Sequence, residues 1–148
     1  MSRAAGWGRA AAALAVVLVV DQATKALAVA QIDRGDAVNV FFGLDLTNTR
    51  NRGVAFGVLE GSATIVGLLI AAALLLLLGY FAFHASRPLL WLPVGMLLGG
   101  AVGNLLDRAR EGAVIDFIDP SFWPAFNLAD ASIVIGVLAL LYVVEGKQ

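Results

Sequence analysis

The sequence predicts an all-α polytopic membrane protein, with four transmembrane helices and a small extracytoplasmic β-structure. Three observations lead there. About 60% of the 148 residues are hydrophobic and only 14% are charged, whereas roughly a quarter are charged in soluble domains. Four stretches, at about 10–30, 62–83, 89–106 and 128–144, are apolar over close to the roughly 20 residues that a bilayer crossing takes. Between the first two, "VNVFFGLDLT" changes period. Val38, Val40, Phe42, Leu44 and Leu46 alternate with smaller or more polar residues, as in a strand with one apolar face. That fits a small sheet resting on the membrane surface, with a loop packed on the helices as the alternative.

Each span has its own local argument. Arg3 and Arg9 precede the first, which resembles the start of a secretory signal. The run continues past Asp21 and Lys25 to Ala30 with no convincing small-residue cleavage site, and three more spans follow, so a retained helix is expected. The third span carries Gly95, Gly99 and Gly103 at four-residue spacing, a stripe that lets a second helix approach closely. "REG" then closes that helix, with Gly112 suited to a left-handed C-cap. Asn127 is a good N-cap for the fourth span, and Asp130 has the spacing of a capping-box acid.

Four spans put both termini on one side and the segments 31–61 and 107–127 on the other. Arg3, Arg9, Arg87 and Lys147 fall in the short terminal and 84–88 segments, which are richer in cations per residue than the longer loops. The termini are therefore expected in the cytoplasm. Trp7 and Trp91 would then lie at the inner interface and Trp123 at the outer one.

Composition also excludes functions. A formal net charge of −1 offers no basic surface for nucleic acid. The absence of cysteine excludes disulfides, thiol catalysis and thiolate metal sites, and His84 is the only histidine. The remaining polar residues gather at one level. Asp21 and Lys25 lie late in the first span, Asn104, Asp107 and Arg108 end the third, and Asp130 begins the fourth. Asn51, Arg52 and Asp116 belong to the outer loops, whereas His84 falls at the opposite end. Ionisable groups inside spans are costly and mark function by default.

Each group also has a plainer explanation. Asp21 and Lys25 are four residues apart and suit a structural clamp as well as a site. Asn104, Asp107 and Arg108 would serve a helix end emerging into water, with Arg108 paired to Glu111. Asp130 suits a cap. Asp116 a short loop away on the same side is what a cap does not explain. Two carboxylates within hydrogen-bonding reach share a proton. The ionised one can then activate water while the other protonates a carbonyl oxygen or leaving amine. Two aspartates could equally bind a cation or relay protons in a small transporter. Lys25 with Ser132 would be the elements of a serine–lysine peptidase, although Ser132 points elsewhere on the helix.

Five motifs in order resolve these alternatives. "DQATK" (21–25), "NRGVAF" (51–56), "GNLLDR" (103–108), "VIDF" (114–117) and "FNLAD" (126–130) together resemble lipoprotein signal peptidase, the signal peptidase II family of membrane aspartic proteases. The resemblance covers nearly the whole chain and implies a single membrane-embedded peptidase domain over 1–148. It implies removal of the signal peptide from diacylglyceryl-modified bacterial prolipoproteins, just before the lipidated cysteine. By motif position Asp116 and Asp130 match the catalytic aspartates. Asp21, Lys25, Asn51, Gly53, Asn104, Asp107, Arg108, Asn127 and Ala129 match residues that bind substrate or support the site. Val54 stands where alanine is frequent in the family. The expected setting is the bacterial plasma membrane, with the site toward the outer face. A monomer among membrane lipid is expected, with prolipoproteins as substrates, no nucleic-acid partner, and neither cofactor nor metal.

Overall fold

The computed structural model describes residues 1–53 and 63–146, so Val54, Lys147 and the first residue of the second expected span lie outside it. The first helix, α1 (Arg3–Gln31), is built from a run of alanine, valine and leucine. Ser2 caps it by accepting the Ala5 N–H at 3.2 Å. Its burial is the inverse of a soluble helix. Asp21 and Lys25 are 0% and 1% exposed, while Val16, Val19 and Leu27 are more than half exposed. Charges inside and aliphatics outside suit a lipid solvent. α1 and α4 (Leu128–Glu145) are the two described helices long and apolar enough to cross a membrane. Between them in sequence lie α2 (Ala63–His84) and α3 (Trp91–Glu111).

α3 is the axle of the bundle, packing on α1 along one side and on α4 along another. The glycines permit both contacts. A Cβ at Gly95 would lie 2.5 Å from the Ala13 Cβ, and one at Gly103 would lie 2.6 Å from Asp21 Oδ2. Gly100 faces the other way, where a Cβ would meet the Ala129 carbonyl oxygen at 2.5 Å. The expected glycine stripe therefore packs as read, and Gly100 adds a second close face. α2 joins at the far end of the bundle. There Phe81, Ala85, Leu90 and Val94 form an apolar core with Ala10, and the rings of Trp7 and Phe81 meet edge to face at 4.8 Å.

α3 ends at Gly112, which adopts φ 69° and donates its N–H to the Arg108 carbonyl at 3.0 Å. Residues 107–111, assigned to the outer segment, are the last turn of α3, which ends at the Gly112 cap expected for it. Arg108 and Arg110 in that turn complement the helix dipole.

Beyond the helix ends a three-stranded antiparallel sheet has the order β1 (Ala37–Phe41), β2 (Leu44–Asn51), β3 (Val114–Pro120). The alternating run at 38–46 is therefore a hairpin and not a single strand. Its turn centres on Phe42 and Gly43, with Gly43 at φ 77°. Its apolar residues face outward, Val38 and Val40 more than half exposed and Phe42 97% exposed, which is compatible with a sheet resting on a membrane surface. β3 places Asp116 opposite Thr49, and a bulge between Leu46 and Thr49 adjusts the register there.

Candidate active site

Asp130 lies in the first turn of α4, where it completes a capping box. The Asn127 side chain accepts the Asp130 N–H at 2.9 Å, and Asp130 Oδ2 accepts the Asn127 N–H at 3.3 Å. Both predicted roles of this segment are present, and the cap does not use up the aspartate. Its other oxygen, Oδ1, accepts from Asn104 Nδ2 at 2.8 Å.

Asp116 arrives from β3. Only 2% of it is exposed. Its Oδ1 accepts from Asn127 Nδ2 at 2.8 Å and its Oδ2 from Asn51 Nδ2 at 3.0 Å. Asn127 thus touches both aspartates, one through its amide nitrogen and the other through its carbonyl oxygen. Burial pushes the Asp116 carboxyl up to about 6, and the negative charge of Asp130 acts in the same direction. The hydrogen bonds from Asn51 and Asn127 and the Lys25 charge oppose that rise.

Beneath the two aspartates is a buried charge cluster. Lys25 Nζ lies 2.8 Å from Asp21 Oδ2, 2.7 Å from Asp107 Oδ2 and 2.9 Å from Asn104 Oδ1. Each acid also binds a backbone N–H. Asp21 Oδ1 accepts from Ala129 at 2.9 Å and Asp107 Oδ2 from Ile115 at 3.2 Å. Five of the predicted residues therefore join α1, α3, β3 and the start of α4 in one polar knot. Arg108 is not paired to Glu111 as in the plainer explanation of this helix end. It donates to the carbonyls of Gly53 and Asn104, while Glu111 pairs with Arg50 from β2. Gly53 in turn donates its N–H to Asn51 Oδ1 at 3.0 Å.

The sequence reading missed Gln22. Its amide nitrogen reaches Asp21 Oδ2 and Asp107 Oδ1, at 3.2 and 3.0 Å, and its oxygen accepts from Arg110. A neutral polar residue beside two in-span charges is the signal that would have found it. Thr49, which donates to the Asp116 carbonyl at 3.1 Å, gave no such signal.

The aspartates open into a cleft of about 580 Å³. Its polar end carries Asn51, Arg108, Asp116 and Asp130, and its apolar wall includes Ile70, Ala101, Ile133 and Val134 from three helices. Among the described residues no three His, Cys, Asp or Glu side chains converge as metal ligands would. A paired-carboxylate site fed by a greasy slot suits hydrolysis of an apolar peptide.

The family profile described as signal peptidase (SPase) II matches residues 13–144. The chain belongs to the signal peptidase II family. It is similar to the lipoprotein signal peptidase of Moorella thermoacetica, 40% identical over 131 residues and 86% of each chain. That of Pelotomaculum thermopropionicum is 42% identical over 137 residues, covering 87% of this chain and 86% of its own. Two bacterial membrane enzymes solved by the in meso method, at 2.3 and 1.9 Å resolution, are each 31% identical. The first has a TM-score of 0.85 and covers 93% of this chain and 88% of its own; the second has 0.81 and covers 95% of each. The chain is thus a peptidase of a membrane family.

In this signal peptidase II, Asp116 has a stability signature that follows from its position. Its folded pKa, about 6, exceeds the unfolded value of 3.8. The native state therefore holds the proton longer, and stability falls as pH rises from about 4 to about 6. Roughly two units at about 1.36 kcal/mol each give about 3 kcal/mol. Asp116→Asn removes this dependence. Its stability relative to wild type should improve by about 3 kcal/mol between pH 4 and 7.5, whatever its absolute value. Thermal unfolding in detergent micelles at the two pH values checks this, and a constant difference would show that Asp116 is ionised normally.

Proposed function

We propose that the chain removes signal peptides from bacterial prolipoproteins, cutting just before a diacylglyceryl-modified cysteine, with Asp116 and Asp130 as an aspartic catalytic pair. The observation that carries this reading is that the two aspartates, from a strand and a helix, share Asn127 and open into one cleft. In the reaction the ionised aspartate takes a proton from water as the water oxygen attacks the scissile carbonyl carbon. The protonated aspartate gives its proton to the carbonyl oxygen. Collapse of the tetrahedral intermediate returns that proton, the C–N bond breaks, and the amine leaves with the proton taken from water. The pair shares its proton, so the two roles belong to the dyad and not to fixed residues.

The same reading makes the chain a single multi-pass domain over 1–148 in the bacterial plasma membrane, active as a monomer. The four helices α1 to α4 cross the bilayer and the termini lie in the cytoplasm. Exposed aliphatics and aromatics on α2, such as Leu75, Leu76 and Phe83, support contact with lipid along that helix. Phe41, Phe42 and Phe122 at the edge of the sheet, all more than 70% exposed, suit an outer interface. A lipid-anchored cysteine would hold the bond to be cut at that level, and the signal helix would lie along the apolar wall.

The serine–lysine alternative finds no support in the geometry. Ser132 donates its hydroxyl to the Met96 carbonyl at 3.0 Å, and Lys25 spends its donors on Asp21, Asp107 and Asn104. Purified chain incubated with a diacylglyceryl-modified prolipoprotein should release the signal peptide and leave the lipidated cysteine at the new N-terminus. The unmodified precursor should stay intact. No cleavage of the modified precursor, or equal cleavage of both, would refute the proposed substrate.

A further inference from the structure

The amides around the two aspartates are oriented by groups of fixed polarity. Asn127 presents its oxygen to the Asp130 N–H, so its nitrogen turns to Asp116. Asn51 presents its oxygen to the Gly53 N–H, so its nitrogen also turns to Asp116. Backbone groups set both of these. Asn104 is set by a side chain. Lys25 is a donor only, so the Asn104 oxygen must face it at 2.9 Å and the nitrogen then reaches Asp130 Oδ1 at 2.8 Å. Asn127 Nδ2 also reaches the Asn104 oxygen, at 3.2 Å, but divides two hydrogens among that oxygen, Ile115 O and Asp116 Oδ1. The charged donor is the stronger hold.

The outcome is that each of the four carboxylate oxygens accepts one N–H: Asp116 from Asn51 and Asn127, Asp130 from Asn104 and the Asn127 backbone. None of these neighbours offers an acceptor to a carboxyl proton.

We infer that Lys25 is a positioning residue, which fixes the sense of the Asn104 amide so that, among the described residues, the proton shared by the aspartates has no partner except the other carboxylate, leaving it otherwise to water or substrate. This rests on the reading of Asp116 and Asp130 as the catalytic pair. Lys25 touches neither of them. Without it Asn104 is free to turn, and its carbonyl, facing Asp130, would accept a carboxyl proton and hold it away from the cleft. Hydrogen bonds to the neutral acid oppose ionisation.

Charge has to be separated from amide sense in the test. The charged groups facing the pair or its supports are Asp21 and Lys25 on α1, Arg50 on β2, and Asp107 and Arg108 on α3. Lys25→Met/Asp107→Asn removes one charge of each sign, so the net charge beneath the pair is unchanged. In this double variant the acid limb of kcat/KM against pH should move up by about 1–2 pH units, with kcat lowered at neutral pH and KM little changed. Asp107→Asn alone, which keeps Lys25, should show no upward move. Lys25→Arg keeps a charged donor and should retain the wild-type limb, and it carries the test if the double variant does not fold. A limb unmoved in the double variant, an equal upward move in Asp107→Asn, or an upward move in Lys25→Arg would each overturn the inference. Activity retained in Asp116→Asn or Asp130→Asn would instead sink the dyad. An inactive dyad mutant with an unmoved limb in the double variant sinks only the role of Lys25.

Discussion

Replacing Asp116 or Asp130 by asparagine is expected to lower prolipoprotein cleavage by about 10²–10⁴-fold or more, the size of a lost general acid or base. Asparagine keeps the shape of each side chain. At position 130 it also keeps an oxygen for the Asn127 N–H, so the cap on α4 survives while the acid–base function is lost. That separates the cap from the proposed catalytic role. Alanine would remove both, with about 0.5–2 kcal/mol of cap stability added to the catalytic loss. If the pair acts as one unit, as proposed, the double asparagine variant should be hardly slower than the worse single variant. The measurement is single-turnover cleavage, with folding checked by thermal unfolding in the same detergent. A folded Asp130→Asn that cleaves at the wild-type rate would reduce Asp130 to a cap, and a peptidase mechanism would have to be built on other groups.

The site was more legible in the sequence than the sheet that frames it, and the difference is physical. Charges in apolar runs stand out because their burial needs partners, so Asp21, Lys25 and Asp107 could be grouped at one membrane level before any contact was known. The cap at Asn127 and the left-handed Gly112 are local and were readable for that reason. β3 was not. "VIDFIDP" is a short run, and its partner strand β2 lies about seventy residues earlier, a pairing that no local pattern encodes. The hairpin escaped for a different reason. Alternation continues through Phe42, so the tight turn at Gly43 leaves no break in the period. The end of α3 at Gly112 was readable even though Asp107, Arg108 and Arg110 look like loop residues. They belong to a helix that leaves the apolar layer while still wound. Glu111 illustrates the limit of helix spacing. It lies within reach of Arg108 along the helix, yet pairs across to β2 at Arg50.

Lys25→Met should be the most destabilising single change in the cluster, at about 3–5 kcal/mol, because it leaves two buried carboxylates without their cation. Among the described residues the pair Asp21 and Asp107 has no other cation at contact distance, and both acids are nearly fully buried. Adding Asp21→Asn and Asp107→Asn should recover most of the lost stability, since a neutral buried network needs no counter-charge and each asparagine still offers an oxygen to Ala129 or Ile115. Unfolding of the three forms in detergent decides this. A single Lys25→Met variant as stable as wild type would mean that water or side-chain rearrangement solvates the acids, and that the cluster does not clamp the helices. If the loss and the recovery both appear, the charges are there for placement more than for net stability. The neutral triple variant would fold with the start of α4 tied to α1 but without the donor that orients Asn104. It should then be stable and slow, which is the combination expected when a costly buried lysine is kept for the reaction and not for the fold.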